Sequence, residues 1–298
     1  MLEQVIIPGG YGRMCNQIFQ IMRWIPTAIG RGIPLYFPGF SRYAELFSGT
    51  RGEGMPRFPR GAPPLAPSTA TLAWLLSGLN RARPNLLGPS LRLIARLPGN
   101  AVFELHDSGR DGPTTTAMVL GQERIARGRT LWIKGWLYRD PEGALTHAAS
   151  IRKFFAPVPP MEQKVAAFML SARQGAGVLV GLHLRRGDYR RWDGGQYYYD
   201  DDAFCAVMRH VVAALPDRRM RFLLVSDETI DPTHFRGFDV VVGLGDAVGD
   251  LASLSACDYI VGPPSTYSNW AAWYGDVPLC HVKNPETPLR LEHFKSAR

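Results

Sequence analysis

Cysteine is scarce in this sequence of 298 residues. The four cysteines, Cys15, Cys205, Cys257 and Cys280, are far apart, and none belongs to a C-x-x-C pair. Zinc knuckles and disulfide frameworks need more closely spaced cysteines, so neither is predicted. Reduced thiols of this kind indicate a cytoplasmic protein.

The sequence also lacks a long apolar run and a targeting segment. No apolar stretch approaches the roughly 20 residues that span a bilayer. The amino terminus, M-L-E-Q-V-I-I-P, enters a short apolar strand without the charged and apolar regions of a signal peptide. We therefore expect a cytoplasmic protein, and its positive charge leaves peripheral association with the inner membrane open as an alternative.

Lysine is rare, and arginine carries most of the positive charge. Of the 34 basic residues 29 are arginine, and with 26 acidic residues the formal net charge is +8. This excess suits a polyanionic partner. The arginines are dispersed, with no basic helix and no zinc-finger or RNP signature, so a phosphorylated small ligand is favoured over nucleic acid.

Proline divides the chain into two predicted domains, residues 1–156 and 161–298. Three prolines stand within residues 156–160, A-P-V-P-P, and this pattern predicts a linker. Residues 40–110 are rich in proline, glycine and arginine, which is typical of surface excursions or of an acceptor-side lid. The second domain alternates apolar strands with helices, which predicts a doubly wound parallel sheet. We predict strands at residues 5–7, 33–37, 102–105, 131–133, 178–184, 221–226, 240–242, 259–261 and 278–281, and helices at residues 14–29, 141–155, 161–173, 202–215, 248–256 and 267–274.

A glycine turn follows the first predicted strand. The unit of strand, glycine turn and helix holds phosphates or sugars, and Gly10 and Gly12 lie in its turn. Cys15 replaces the third glycine of the dinucleotide fingerprint, and the next strand does not end in an acidic residue, so a nicotinamide cofactor is not predicted. Asn16 and Gln17 follow, where their amides could hydrogen-bond sugar hydroxyls or cap the helix.

The apolar strand at residues 178–184 runs into a charged segment, H-L-R-R-G-D-Y-R-R-W-D. In open α/β sheets ligands collect beyond the carboxyl ends of strands. Arg185 and Arg186 stand at such an end, and guanidinium groups can bind a phosphate through two parallel hydrogen bonds. The segment predicts a pyrophosphate site, with surface or interdomain salt bridges as the alternative.

Two further strands of the second domain are predicted to end in polar residues. Asp227 follows one of them, and its carboxylate could accept hydrogen bonds from a purine ring or a ribose. After the other, two prolines precede Ser265 and Thr266, either of which could cap a helix whose free N–H groups face a phosphate. The alternative is that Ser265 is a helix cap and nothing more.

Three consecutive aspartates, Asp200, Asp201 and Asp202, allow a metal site to be considered. An Asp-x-Asp pair holds manganese and a nucleotide diphosphate in many metal-dependent glycosyltransferases. These aspartates stand directly before an amphipathic helix, however, so an N-cap is the simpler interpretation.

Several segments resemble a known family. Residues 183–189, H-L-R-R-G-D-Y, are similar to the H-x-R-R-G-D-Y motif of bacterial α-1,2-fucosyltransferases, which α-1,6- and protein O-fucosyltransferases share in looser form. Residues 9–12 and 16–20 resemble that family's G-G-L-G-N-Q-M-F-Q. Residues 135–137 and 265–273 resemble its G-Y-F-Q and S-S-F-S-W-W-A-A-W.

The resemblance implies a GT-B-like fold, in which two Rossmann-like α/β domains face a cleft. It implies an inverting transferase that moves L-fucose from GDP-fucose to a glycan hydroxyl, in an α-1,2 linkage, with no metal and no cofactor besides the donor substrate. The donor would bind the carboxyl-terminal domain, and the acceptor would bind in the cleft.

The resemblance also implies roles for particular residues. Arg185 is the principal pyrophosphate ligand, and Arg186 supports it or holds the loop. Asp188 is the candidate base for the acceptor hydroxyl, although a salt bridge to an arginine is the alternative and Asp193 is a second candidate. The other expected contacts are His183 with the nucleotide, Asp227 with guanosine, Ser265, Thr266 and Ser268 with the phosphates, and Gly10, Gly12, Asn16 and Gln17 on the acceptor or cleft side.

The sequence departs from the family pattern in three places. Three residues, R-M-C, are inserted before Asn16, a glutamine is missing after Leu137, and Asn269 replaces a tryptophan. These departures bear on the acceptor and linkage more than on the donor. A GT-B transferase that uses another nucleotide sugar and a non-catalytic nucleotide- or glycan-binding module remain alternatives.

Overall fold

The structure is a computed structural model that describes residues 1–104, 116–122, 125, 128–135, 140–215 and 219–296. The chain forms two compact units, Met1–Val158 and Pro159–Arg298. The division falls inside the proline-rich segment at residues 156–160. Pro159 and Pro160 open the helix Pro159–Arg173 instead of continuing the linker, because a proline in the first helical turn loses no hydrogen bond.

The first unit contains a five-stranded sheet of β1 (Gln4–Ile6), β2 (Leu35–Tyr36), β3 (Arg57–Phe58), β4 (Asn100–Glu104) and β5 (Thr130–Lys134). The strand order is β3-β2-β1-β5-β4, and every pair is parallel except β2 with β3. The predicted strands of this half are therefore confirmed to within two residues at each end, except at residue 105, which lies outside the described residues.

The helices of the first unit are α1 (Met14–Met22), α2 (Ile25–Arg31), α3 (Pro67–Ala82), α4 (Leu87–Ile94), α5 (Thr116–Leu120), α6 (Pro141–Thr146) and α7 (Ala148–Phe154). The prediction of a single helix at residues 14–29 is wrong, because these residues form the two helices α1 and α2. Pro26 lies in the first turn of α2, where it is tolerated, but it cannot lie within a continuous helix without loss of a hydrogen bond. The helix predicted at residues 141–155 is also divided, at His147.

The second unit contains β6 (Val178–Leu184), β7 (Met220–Ser226), β8 (Val240–Val242), β9 (Tyr259–Gly262) and β10 (Leu279–His281), with α8 (Pro159–Arg173), α9 (Asp201–Ala214), α10 (Ala247–Leu254) and α11 (Thr266–Gly275). The strand order is β10-β9-β6-β7-β8, and every pair is parallel. The predicted parallel sheet is confirmed. The order reverses between β6 and β9, which makes this point the topological switch of the sheet.

Strand β6 is the central strand of this sheet, and all seven of its residues are buried. Strands covered on both faces read as continuous apolar runs, as this one does. Leu182 and Leu184 belong to one core cluster with Phe222 of β7 and Phe204 of α9. The end of β6, where the charged segment begins, is therefore held by packing on every side. No helix among the described residues combines the length and apolar character needed to cross a membrane.

Helices α10 and α11 approach each other closely at a glycine. A Cβ added to Gly275 would lie 1.9 Å from the carbonyl oxygen of Ser255, a backbone atom that cannot move aside alone. This contact sets the position of α11, whose amino end follows β9 at the edge of the sheet.

We expect Gly275→Ala to lower the free energy of unfolding by about 1–3 kcal/mol, because the two helices must separate to admit the methyl group. The matched control is Gly78→Ala in α3, where an added Cβ meets no atom within 4 Å. Alanine there should raise the free energy of unfolding by roughly 0.5–1 kcal/mol, because glycine is the poorer helix former. Urea denaturation of both variants measures the free energy of unfolding. An equal change in the two variants would contradict the close approach of α10 and α11 at Gly275.

Candidate active site

The polar residues predicted at three strand ends do lie side by side. Strand β6 pairs with β7 on one side and with β9 on the other, all in parallel, so their carboxyl ends meet at one edge of the sheet. The switch point between β6 and β9 lies at this edge, where open α/β sheets bind their ligands. The segments that begin at Arg185, Asp227 and Pro263 form the candidate site.

Arg185 is held between two carboxylates. Its Nη1 donates to Oδ2 of Asp227 at 2.6 Å, and its Nη2 donates to Oδ1 of Asp188. The guanidinium carbon also lies 5.3 Å from the centre of the Tyr189 ring. Only 13% of the Arg185 side chain is exposed. The cation is thus fixed in place by the protein, so it needs little rearrangement to meet an anion.

Asp227 connects the ends of β6 and β7. While Oδ2 accepts from Arg185, Oδ1 accepts from the backbone N–H of Arg186 at 2.9 Å. The loop can approach this carboxylate because residue 187 is glycine: its φ is +21°, and an added Cβ would lie 2.4 Å from Oδ2 of Asp227. Asp227 therefore organises the loop, and its expected contact with guanosine stays a prediction.

The side chain of Arg186 contacts different residues from those that the side chain of Arg185 contacts. Its Nη2 donates to Oδ1 of Asp201 at the start of α9, and its guanidinium carbon lies 5.8 Å from the centre of the Phe204 ring. His234 also bonds Asp201, through Nδ1 to Oδ2 at 2.6 Å. Of the two expected roles of Arg186, the structure shows the loop-holding salt bridge, and the phosphate contact stays a prediction.

His183 is buried beneath the strand end. Its Nδ1 lies 2.7 Å from Oγ of Ser268, which is itself fully buried on α11, and its ring lies 4.9 Å from that of Tyr267. Burial, together with the positive charge of Arg185, lowers the pKa of His183 to about 3. At neutral pH this histidine is uncharged and can offer a hydrogen bond but no charge.

Ser265 and Thr266 lie where α11 begins. Ser265 is the N-cap, and its Oγ accepts from the N–H of Tyr267 at 3.2 Å, as predicted. Thr266 occupies the first helical position, half-buried. Ser268 lies inward, bonded to His183, and its expected phosphate contact stays a prediction. The amino end of α11, with its partial positive charge, thus faces the same sheet edge as Arg185.

Both candidate bases, Asp188 and Asp193, have side-chain partners. Asp188 is 44% exposed at its side chain and forms the predicted salt bridge, with Arg185. Asp193 adopts a left-handed backbone conformation, φ 51°, and accepts from the side-chain amide of Gln196.

The aspartate run before α9 is explained by helix capping. Asp200 is the N-cap, and its Oδ1 accepts from the N–H of Ala203 at 2.9 Å. Within the described ranges no group of three or more His, Cys, Asp or Glu side chains is arranged to hold a metal ion. The metal independence of the site stays a prediction.

The glycine turn of the first unit brings its four predicted residues together. Gln17 lies over Gly10, its Nε2 donates to the carbonyl of Gly12 at 3.2 Å, and its buried Oε1 has no hydrogen-bond partner in the described part of the chain. Asn16 lies against Gly12, whose φ is +59°. The alternative that Asn16 or Gln17 caps the helix is wrong, because the N-cap is Arg13.

Three residues that contact the candidate site or the glycine turn were not predicted. Tyr189 donates to the carbonyl of Pro264 at 2.5 Å and so connects the loops after β6 and β9, and Trp192, 46% exposed, stacks on it at 4.7 Å. The close spacing of these aromatic residues in the sequence was the available signal.

In the first unit, Asn80 of α3 donates to the carbonyl of Gly10 at 3.0 Å. No local signal marks a contact between residues 70 positions apart.

No family model and no curated protein matches this chain. Solved structures do match it in fold. A mutant of Arabidopsis thaliana FUT1 in complex with GDP is 14% identical, with a TM-score of 0.60 over 97% of this chain and 73% of that chain. The α-1,6-fucosyltransferase NodZ, known from Bradyrhizobium and co-crystallised with GDP, is 15% identical, with a TM-score of 0.57 over 94% and 95% of the two chains. POFUT1 in complex with GDP-fucose is 12% identical, with a TM-score of 0.51 over 92% and 94%. The chain therefore has the GT-B-like α/β fold predicted from its sequence.

The buried His183 should make stability depend on pH. Its pKa is lower in the folded chain than the ordinary 6.5, so acidification protonates the unfolded chain first and favours unfolding. Between about pH 7 and about pH 5 the wild type should lose about 2 kcal/mol more stability than His183→Gln. Urea denaturation at both pH values measures this difference. His293→Gln, at an exposed histidine, is the control and should behave as the wild type does. An unchanged pH dependence in His183→Gln would overturn the assignment.

Proposed function

We propose that this protein is a GDP-fucose-dependent glycosyltransferase. The fold likeness supports this, because NodZ is a fucosyltransferase and the matched FUT1, NodZ and POFUT1 structures hold GDP or GDP-fucose. The observation that carries the proposal is the position of Arg185, a cation fixed by two carboxylates at the topological switch of the second sheet.

The chemistry of sugar transfer fits this arrangement. As the bond between the sugar and the β-phosphate breaks, negative charge accumulates on the departing diphosphate. A cation that is already oriented stabilises this charge, and so do the free N–H groups and the dipole at the start of a helix. Arg185 and the amino end of α11 supply these two elements at one sheet edge. Ser265 and Thr266 lie at that helix end and are the proposed phosphate contacts.

The buried pair of His183 and Ser268 has a supporting role in this proposal. Ser268 is fully buried and its hydroxyl bonds His183, so it orients the imidazole. An uncharged imidazole in a fixed orientation offers a hydrogen bond to the nucleotide without adding a second positive charge.

The acceptor hydroxyl must lose a proton as its oxygen bonds the sugar carbon. Two carboxylates contact Arg185, and the side chain of Asp188 is 44% exposed whereas that of Asp227 is 21% exposed. Asp227 bonds both Arg185 and the backbone N–H of Arg186. We therefore assign the base to Asp188, with Asp193 as the second candidate.

The finer features of the proposal rest on the motif resemblance. They are direct displacement with inversion, an α-1,2 linkage, independence from metal ions, and a bacterial, cytoplasmic enzyme. Gly10, Gly12, Asn16 and Gln17 are the proposed acceptor or cleft-side residues.

Removal of Arg185 should abolish most of the activity. With GDP-fucose as the only substrate, the wild type should release GDP slowly by hydrolysis, and Arg185→Ala should lower this rate by about 10² to 10³, as loss of a pre-oriented charge stabiliser does. Arg173→Ala is the matched control, since Arg173 also pairs with an aspartate, Asp258, which bonds the N–H of Leu179 near the start of β6.

The outcomes of this assay separate the alternatives. Near-normal turnover in a folded Arg185→Ala protein would refute the assignment. Indifference to GDP-fucose, with hydrolysis of another nucleotide sugar, would identify a different donor. Binding of GDP-fucose without GDP release would indicate a binding module, and loss of activity in a chelator would refute metal independence.

The glycine at position 187 should be needed for donor binding. Gly187→Ala places a methyl group against Asp227, so the carboxylate must move and Arg185 loses its orientation. We expect the Kd for GDP to rise by about tenfold, the effect of roughly 1.4 kcal/mol. The matched control is Gly194→Ala, because Gly194 also has positive φ but an added Cβ there meets no atom within 4 Å. Isothermal titration calorimetry measures the Kd for GDP of both variants. An equal rise in the two Kd values would show that backbone strain alone weakens binding.

A further inference from the structure

Helix α3 is apolar on the side that faces away from the core. Its inward residues Ala73, Leu76 and Ser77 are buried. Beside them an open groove of about 640 Å³ is lined by residues that recur every three or four positions. Leu75, Gly78 and Ala82 of this lining are exposed, whereas Trp74 and Leu79 are partly buried and pack against the core. We call this surface the α3 outer face, which consists of Thr71, Trp74, Leu75, Gly78, Leu79 and Ala82.

Further exposed leucines follow α3 in the sequence. Leu75 is 65% exposed, and Leu86, Leu93 and Leu97, in the turn before α4 and at the end of that helix, are exposed as well. Four of the eight exposed leucines among the described residues thus fall within residues 75–97. Single exposed leucines are ordinary, but such a concentration marks an interaction surface.

The segment that carries this surface is rich in arginine and lacks acidic residues. Residues 54–103 contain no aspartate or glutamate and six arginines, four of which lie within residues 81–96. Arg81, Arg83 and Arg96 are exposed, and Arg92, also exposed, pairs with Glu104 at 3.2 Å. Exposed leucines accompanied by arginines are typical of surfaces that lie in the interface of an anionic membrane.

The charge pattern also argues against a second copy of this chain as the partner. A symmetric contact between two α3 outer faces would bring the arginines of both copies together, and like charges across an interface cost free energy. Lipid phosphates carry the opposite charge, and arginine can reach them while its methylene groups lie along the apolar surface.

We propose that the α3 outer face and the turn leading to α4 dock on an anionic lipid bilayer. Leu75 enters the boundary between headgroups and acyl chains, and Arg81 and Arg83 contact the lipid phosphates. This docking is independent of the chemistry proposed for the second unit, so its test uses lipid binding alone.

The test is co-sedimentation of the whole protein with vesicles of phosphatidylcholine, with or without phosphatidylglycerol. The protein should bind the anionic vesicles and be released when salt is raised from about 0.1 M to about 1 M, which shortens the Debye length from about 10 Å to about 3 Å. Arg81→Gln with Arg83→Gln should weaken binding by roughly tenfold or more, since each basic residue near the surface contributes substantially. Leu75→Asp should weaken it by a similar factor, at an exposed position where the fold tolerates the change.

Two controls match these variants. Arg31→Gln with Arg236→Gln lowers the net charge equally at exposed positions elsewhere, and Leu170→Asp makes the same change at a leucine that is 79% exposed on α8. Both should bind as the wild type does. Absence of binding, equal binding to neutral vesicles, or equal loss in the control pairs would overturn the proposal. A dimer in solution that Leu75→Asp dissociates would also overturn it, in favour of a second copy.

Discussion

The arrangement of the second unit's site depends on one carboxylate, that of Asp227. One oxygen accepts from the guanidinium of Arg185 and the other from the backbone of Arg186, so the ends of two strands form a single structure. The parallel register, in which Leu184 pairs with Ser226, brings Asp227 level with Arg185. A side chain at residue 187 would occupy the space that this contact needs. Strand register, a missing Cβ and one shared carboxylate together orient the cation.

The two neighbouring arginines follow the end of β6 and contact different partners. Arg185 pairs with Asp227 and Asp188, whereas Arg186 is buried against Asp201 and the Phe204 ring. Of the two arginines in the motif, Arg185 thus lies between two carboxylates and Arg186 holds the loop through Asp201, while its expected phosphate contact stays a prediction. His183, within β6, is buried, and this burial together with the positive charge of Arg185 lowers the pKa of its imidazole.

The sequence predicted those parts of the structure that have local causes. Continuous apolar runs identified the buried strands, and because the carboxyl ends of parallel strands share one edge, His183, Arg185 and Ser265 could be expected together. Contacts between distant segments could not be predicted. Nothing near Arg186 indicates that it pairs with Asp201, and nothing near Asn80 indicates its bond to Gly10. The open groove along α3 is likewise shown only by the structure.

Helix α3 contacts the glycine turn directly, through the side chain of Asn80 and the carbonyl of Gly10. An added Cβ on Gly9 would meet the same asparagine at 2.8 Å, so the turn and the helix fit closely. If a ligand at the turn changes the affinity of the α3 outer face by some factor, thermodynamic linkage requires occupation of that face to change the affinity of the turn for its ligand by the same factor.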